Sequence, residues 1–220
     1  MTDRLLRALF PPKCILCKAL LSEEETDLCH TCREHAPFFS KEKINFSFIA
    51  RWTAVWYYKD TVRMGLLQYK FSGRRSSAAG FARQLAMKLL EKNMAEPDLL
   101  VWVPISRLRK FSRGYDQVEL IAKALSRELG IPAAPVLKKI RHTPPQSSLK
   151  SAAERRANVL GAYRVIAPDA VSGKRLLLLD DVITTGATAS ECARMLTMAG
   201  AAAIDCAAVA VAPHDKKENK

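Results

Sequence analysis

Two adjacent aspartates followed by a threonine-rich turn are the part of this sequence best suited to chemistry. Asp180 and Asp181 follow four consecutive leucines, and Thr184-Thr185-Gly186-Ala187-Thr188 comes directly after them. Carboxylates hold the hydroxyl groups of a sugar, or a metal ion that bridges to them. The backbone amides of a turn that opens a helix suit a phosphate. Together they predict a site for a sugar phosphate, with Asp180 and Asp181 as its catalytic candidates.

The elements around this segment are predicted to hold it at the edge of a sheet. The four leucines at 176–179 fit a strand buried on both faces, as in a parallel sheet covered by helices. Open sheets of this kind bind ligands at the carboxyl ends of their strands. Gly186 opens a helix that continues to about Gly200. No lysine follows the glycine and no G-x-G-x-x-G occurs, which argues against a nucleoside triphosphate loop and a dinucleotide site. A plain magnesium site followed by an ordinary capped turn is the alternative.

Two further segments are expected to complete the site. Pro104 ends a predicted strand at 99–103 and frees the amides that follow it, so that Ser106 with Arg107, Arg109 and Arg113 could hold a pyrophosphate. The alternative is that these arginines begin a solvated helix. Residues 141–150, rich in proline and serine, predict a mobile loop or lid that carries Arg141 and Gln146.

Four cysteines near the amino end form two short knuckles. Cys14 and Cys17 are separated by two residues, as are Cys29 and Cys32, and eleven residues lie between the pairs. This spacing lets four thiolates converge on Zn²⁺ in a closed structural site. Two disulfides or a redox Cys-x-x-Cys are the alternatives. A reducing compartment disfavours the first, and no thioredoxin-like strand precedes the pair. His30 and His35 are read as surface residues, and Cys192 and Cys206 as buried, inert thiols.

The remaining pattern predicts an α/β protein. Strands are expected at 46–49, 54–58, 136–140 and 202–211, and helices at 64–69, 78–91 and 115–129. Their alternation implies a mainly parallel sheet flanked by helices. We expect three regions: a zinc ribbon with an amphipathic start at 1–45, an α/β domain at 46–213 and a disordered basic tail at 214–220.

Charge and hydropathy indicate which class of partner the protein binds and in which compartment of the cell it is expected. The net charge is +13 and the sequence pI is near 9.7, which favours an anionic partner. Basic residues cluster at 70–75, 107–113, 138–141 and 155–156, and we expect two of these clusters to line a phosphate site. No apolar run approaches the ~20 residues of a membrane span. The start lacks a signal peptide's apolar core and cleavage site, so we expect a cytoplasmic protein.

The chain resembles the ComF family. The run 176–188 is similar to the phosphoribosyl pyrophosphate (PRPP) signature of type I phosphoribosyltransferases. The other residues that carry the resemblance are the four cysteines, 103–106, Arg109, Arg113-Gly114, Gln117, Thr143, Gln146, Leu149, 154–155, 158–159 and 161–162. That family joins an amino-terminal zinc ribbon to a type I phosphoribosyltransferase-like domain and is associated with DNA uptake in natural transformation. Asp116 departs from the family, which usually has Asn there, and Gln68 lies near a position that is commonly Lys. A carboxylate at position 116 would repel phosphate.

The resemblance implies roles for the candidate residues. The turn 184–188 would hold the ribose 5-phosphate, Asp180 and Asp181 the 2- and 3-hydroxyls, and Ser106 with Arg107 the pyrophosphate. Mg²⁺ would bridge pyrophosphate and ribose, and the loop 141–150 would close over them.

Two functions remain open. One is an enzyme that transfers a phosphoribosyl group from PRPP to an unknown base or amine. The other is a competence protein that binds PRPP and single-stranded DNA, acts with DNA-uptake proteins, and stacks bases on Trp52, Trp56, Tyr57, Tyr58 or Tyr69. A purely scaffolding role is the third possibility. The sequence does not predict the acceptor or the oligomeric state.

Overall fold

The computed structural model describes residues 11–40, 45–141, 143 and 151–213. The predicted amphipathic start at 1–10, the predicted basic tail and Gln146 lie outside the described residues.

A four-stranded parallel sheet forms the centre of the fold. Its strands are β1 (Arg51–Tyr57), β2 (Leu99–Trp102), β5 (Arg175–Ile183) and β6 (Ala203–Val211). They lie in the order β1-β6-β5-β2, and each pair is parallel. A separate antiparallel pair joins β3 (Leu137–Lys139) to β4 (Tyr163–Val165).

Helices cover both faces of this sheet. They are α1 (His30–His35), α2 (Asp60–Phe71), α3 (Ser77–Glu91), α4 (Arg107–Arg113), α5 (Gln117–Leu129), α6 (Ala152–Val159) and α7 (Ala187–Met198). Successive side chains of a strand point to opposite faces, so the four leucines of β5 divide between two cores. Leu177 and Leu179 pack into the core shared with α2, α3 and α5, whereas Leu176 and Leu178 pack into the core that contains α7. The predicted α/β fold, a mainly parallel sheet flanked by helices with a small amino-terminal cysteine module, is confirmed.

The cysteine module packs directly on α2 and α3. A Cβ at Gly65 would lie 2.6 Å from the carbonyl oxygen of Ile15, so only glycine lets α2 approach the first knuckle this closely. At Gly80 of α3, a Cβ would lie 2.8 Å from Cγ2 of Ile15. Arg83 of α3 also donates to Asp27 of the module through Nε at 2.9 Å and Nη2 at 2.5 Å. The module therefore shares one hydrophobic core with the α/β unit.

Several predicted elements differ from those of the structure. Residues 46–49 are not a strand but a turn, because the Phe46 ring folds back onto Trp52, with ring centroids 4.8 Å apart. The predicted helix at 64–69 is part of the longer α2, and the predicted strand at 136–140 is the short β3 outside the main sheet. The arginine-rich segment after Pro104 forms a helix, Arg107–Arg113.

Candidate functional site

The two aspartates lie in the last part of β5, each with a different environment. Asp181 is buried, and its Oδ2 lies 3.0 Å from Nζ of Lys70 at the end of α2. The same oxygen accepts a hydrogen bond of 2.8 Å from Nε2 of Gln117, the first residue of α5. Asp180 accepts a 2.8 Å bond from the backbone amide of Asp181. Both aspartates line the cavity, and neighbouring side chains hold the carboxylate of Asp181 in place.

These environments move the two carboxyl pKa values apart. Burial and the adjacent charge of Asp181 raise the pKa of Asp180 well above its usual value. Burial acts to raise the pKa of Asp181 too, but the charge of Lys70 and the hydrogen bond from Gln117 outweigh it and lower that pKa. The pair therefore secures the negative charge of Asp181, and a cation or a hydrogen-bond donor that approaches Asp180 favours its charged form.

The turn that follows β5 leads directly into α7. Gly186 has φ of 73°, in the left-handed region, and a Cβ there would overlap the ring of Phe46. Ala187 begins the helix and is buried, whereas Gly186 and the side chains of Thr184 and Thr188 line the cavity in front of the aspartates. Within the described part of the chain, the buried Oγ1 of Thr185 has no hydrogen-bond partner. The turn thus presents backbone amides and hydroxyls at a helix amino terminus, as an anion requires.

Helix α4 contributes arginines on the other side of the cavity. Arg109 and Arg113 line it. Nη1 of Arg113 donates to Oε1 of Gln117 at 2.9 Å, and its guanidinium lies 4.7 Å from the centroid of the Phe71 ring. Burial lowers the pKa of Arg113. These two arginines are available to a polyanion that reaches Asp181.

The other candidates from the sequence lie at the margins of the cavity. Ser106 is buried and caps α4, since its hydroxyl accepts from the amide of Arg109 at 3.4 Å. Arg107 is exposed and is not among the cavity-lining residues. Arg141 is also exposed, and its Nη2 donates to the carbonyl oxygens of Asn158 and Leu160 at 3.1 and 2.9 Å. Of the described pyrophosphate and loop candidates, the structure brings Arg109 and Arg113 to the cavity, but not the side chains of Ser106, Arg107 and Arg141.

Asp116 is explained by the backbone around it. It is buried, and its carboxylate accepts hydrogen bonds from the amides of Val118, Glu119 and Ile105 at 3.0, 3.2 and 3.2 Å. Burial raises the pKa of Asp116 even though these bonds act to lower it. It caps α5 and fastens the end of the β2–α4 connection to it. The carboxylate of Asp116 thus accepts hydrogen bonds from backbone amides of the protein.

The cavity that these elements enclose has a volume of about 1000 Å³. Three of the four basic clusters contribute to it, through Lys70, through Arg109 and Arg113, and through Lys139. The cavity therefore carries positive side chains around a carboxylate pair, the combination that a magnesium-bound sugar phosphate requires.

Sequence reasoning missed three residues of this site. Lys70 and Gln117 hold Asp181, and Lys139 of β3 enters the cavity. Gln117 was visible only as part of the family resemblance, and Lys70 and Lys139 only as members of basic clusters. Their partners are remote in sequence, so no local pattern connects them to the aspartates.

A second candidate site lies in the amino-terminal module. The Sγ atoms of Cys14, Cys17, Cys29 and Cys32 lie within 4.8 Å of one another. Cys17 and Cys29 have Sγ atoms 3.5 Å apart, and all six cysteines are free thiols. Four converging thiols in a closed, mostly buried cluster fit a tetrahedral structural Zn²⁺. His30 and His35 are exposed, and Cys192 and Cys206 are buried, as expected.

Two family models match this chain. Residues 5–44 match the model of a double zinc ribbon domain, and residues 118–220 match that of a phosphoribosyl transferase domain. Competence protein ComFC of Bacillus subtilis is 28% identical over 211 residues, which cover 90% of this chain and 85% of that protein. Competence protein F of Haemophilus influenzae is 28% identical over 178 residues, covering 78% and 73%.

The chain is therefore similar to these competence proteins over most of its length and joins a double zinc ribbon domain to a phosphoribosyl transferase domain.

Another relative, the DNA utilization protein YhgH of Escherichia coli, is 35% identical over 142 residues. That match covers 62% of this chain and 61% of YhgH. Among solved structures, a glutamine PRPP amidotransferase from B. subtilis has 23% identity and a TM-score of 0.43 over 65% of this chain and 30% of that one, too low to bear on activity. No helix in the described ranges is long and apolar enough to cross a membrane.

Proposed function

We propose that this chain is a ComF-family protein that binds PRPP in the cavity between β5, α4 and α7, and that it acts in DNA uptake during natural transformation. The observation that carries the proposal is the pair of environments around Asp180 and Asp181. Lys70 and Gln117 hold Asp181 as a carboxylate at the start of a turn that offers amides to a phosphate. The cavity thus has separate places for the hydroxyls and the phosphates of one ligand.

Each part of PRPP has a matching group in this cavity. The ribose 5-phosphate is assigned to the turn 184–188 at the amino terminus of α7, where backbone amides point outward. The 2- and 3-hydroxyls are assigned to Asp180 and Asp181. The pyrophosphate is assigned to Arg109 and Arg113, because guanidinium groups grip two oxygens at once. Mg²⁺, if bound, would neutralise the pyrophosphate and would be held by the carboxylate of Asp180.

Loss of the carboxylates tests this assignment directly. Calorimetric titration with PRPP and MgCl₂ is expected to give saturable binding to the wild type and none to a variant with both Asp180→Asn and Asp181→Asn. Asp169→Asn, on an exposed 3₁₀ turn, is the matched control and should bind as the wild type does. Equal affinity of the double variant and the wild type would refute the site.

Transfer of the phosphoribosyl group is the second candidate, favoured by the arginines of α4. If an acceptor attacks the anomeric carbon, the bond to pyrophosphate breaks and charge develops on the leaving oxygens. Arg109 and Arg113 line the cavity where they would stabilise that charge, and Asp180 and Asp181 would keep the ribose in place. Pyrophosphate release from PRPP in the presence of candidate bases or amines, lost in the Asp180/Asp181 variant, is the expected result.

Single-stranded DNA is the proposed macromolecular partner. Trp56 and Tyr69 are buried in the core, so they do not stack on bases. Two exposed rings are available instead. Phe71 lines the cavity and is 65% exposed, and Phe111 of α4, the helix that carries Arg109 and Arg113, is 91% exposed. Bases stack on such rings while cations follow the phosphates. The proposal also includes a cytoplasmic location and contact with DNA-uptake proteins.

The salt dependence of binding tests the DNA proposal. Fluorescence anisotropy with a labelled oligothymidylate should show binding that weakens steeply between low and physiological salt. Phe111→Ala should weaken it, whereas Leu160→Ala, at an exposed apolar residue after α6, should not. Binding that does not respond to salt, or no binding, would refute this partner.

A further inference from the structure

Lys139 reaches the cavity from an element that carries none of the residues assigned so far. It ends β3, in the antiparallel pair outside the main sheet, directly across from Tyr163 of β4. Its Nζ lies 5.3 Å from the centroid of the Tyr163 ring. Both residues line the cavity together with Asp180 and Thr188. The Lys139 side chain thus lines the cavity while its ammonium group lies against the Tyr163 ring.

The two cavity lysines differ in their partners. Lys70 is neutralised by Asp181 at 3.0 Å. For Lys139, no carboxylate of the described residues lies within ion-pair distance of Nζ. A half-buried cation beside an open cavity, with no counter-ion supplied by the described part of the protein, is suited to an anionic ligand.

The net effect of the surroundings of Lys139 is to lower its pKa, which disfavours the charged ammonium form. Burial and the neighbouring guanidinium of Arg109 lower the pKa of Lys139 to about 8, and Arg141 acts in the same direction. Asp180 of β5 and Cys192 of α7 act to raise it but do not compensate. Tyr163 is un-ionised at neutral pH, because burial raises its pKa. The amine is thus partly deprotonated near pH 8 until another negative charge arrives.

We propose that Lys139 binds a phosphate group of the ligand in this cavity, together with the turn 184–188, and that it gains a proton as the ligand enters. The identity of the ligand as PRPP rests on the proposed function. A phosphate next to Nζ favours the ammonium form, so binding and protonation are linked. In the complex, the ammonium group of Lys139 is paired with the phosphate of the ligand and not with a group of the protein.

Two substitutions separate the charge of Lys139 from its protonation. Lys139→Met removes the cation and should weaken PRPP–Mg²⁺ binding about 10- to 100-fold, the effect of losing one charge-assisted hydrogen bond. Lys139→Arg keeps a permanent cation, so it should bind within a few-fold of the wild type but take up no proton at this position. Lys138→Met, at the exposed neighbouring residue of β3, is the matched control and should behave as the wild type does.

Calorimetry in buffers of different ionisation enthalpy measures the protons exchanged on binding. At pH 8 the wild type should take up about 0.5 proton more than the Lys139→Arg variant, because a group with a pKa near the pH is half protonated. The comparison removes any protons that the ligand itself exchanges. Circular dichroism and thermal melting of each variant establish that it is folded.

The outcomes separate this inference from the proposed function. Wild-type affinity in Lys139→Met, or equal proton uptake in the wild type and Lys139→Arg, overturns the role of Lys139 while PRPP binding stands. If the wild type does not bind PRPP, the proposed function fails, and titration with inorganic pyrophosphate replaces it as the probe. The same loss in Lys139→Met then supports the role of Lys139, and no pyrophosphate binding by the wild type overturns it.

Discussion

Replacing Lys70 by methionine should make the stability of the protein depend on pH in a new way. The Lys70 and Asp181 side chains are only 15% and 9% exposed, so the ion pair is shielded from water. Removing one partner of such a pair leaves an uncompensated buried charge and costs about 3–5 kcal/mol. Gln117 still donates to Asp181, and the neighbouring carboxyl of Asp180 is already the more easily protonated of the two.

The sign of the pH dependence follows from the direction of each pKa shift. In the wild type the pKa of folded Asp181 is lowered, so this residue stabilises the fold above its unfolded pKa of about 3.9 and loses that contribution as the pH falls. Without Lys70, burial is expected to raise the pKa of Asp181 above the unfolded value. The Lys70→Met fold then loses stability as the pH rises above about 4.

Urea unfolding at pH 5 and pH 8 measures this effect. The free energy of unfolding of Lys70→Met should fall short of the wild type by about 3–5 kcal/mol at pH 8 and by clearly less at pH 5. Adding Asp181→Asn should restore much of the loss at pH 8, because the unpaired charge is gone. A deficit that is the same at both pH values, or that Asp181→Asn does not reduce, would refute the role of Lys70 as the partner of a buried carboxylate.

Three further predictions concern the elements that hold the site. Chelation of zinc should lower both the melting temperature and the PRPP affinity, because the cysteine module shares its core with the helix that carries Lys70. Reloading with zinc should restore both quantities. An unchanged melting temperature would contradict this coupling. Gly186→Ala should lower the free energy of unfolding by about 1–3 kcal/mol in urea, because a residue with a Cβ is strained at this positive φ and the Cβ would overlap the Phe46 ring. Gly173 also has a positive φ but lies in open space, so Gly173→Ala should cost less. Asp116→Asn keeps an oxygen for the amides of Val118 and Glu119 but sets an NH₂ donor against the amide of Ile105, so it should cost about 1–3 kcal/mol. Asp116→Ala loses all three bonds and should cost more, and a neutral Asp116→Asn in thermal melting would contradict the role of the second oxygen.

The part of the site predicted from sequence is the part that is local in the chain. The strand 175–183, the turn and the helix after it lie within about two dozen residues, and their pattern of leucines, aspartates and threonines specifies both the elements and the ligand chemistry. The cysteine pairs are equally local. Short spacing fixes these groups relative to one another before any tertiary contact is known.

The rest depends on contacts between remote segments. Lys70 and Gln117 meet Asp181 only because α2 and α5 pack on the same face of the sheet. Residues 46–49 look like a strand because they are apolar and aromatic. Their position is instead determined by Gly186, whose missing side chain makes room for the Phe46 ring. Asp116 looks unfavourable for an anion site, but three backbone amides that become neighbours on folding use its carboxylate.

The most direct test of the account is a crystal structure of the protein with PRPP and Mg²⁺. We predict that the ribose hydroxyls lie within hydrogen-bond distance of Asp180 and Asp181 and that the 5-phosphate accepts hydrogen bonds from the amides of the turn 184–188. An empty cavity at saturating ligand, or PRPP bound with its 5-phosphate away from that turn, would contradict the central claim.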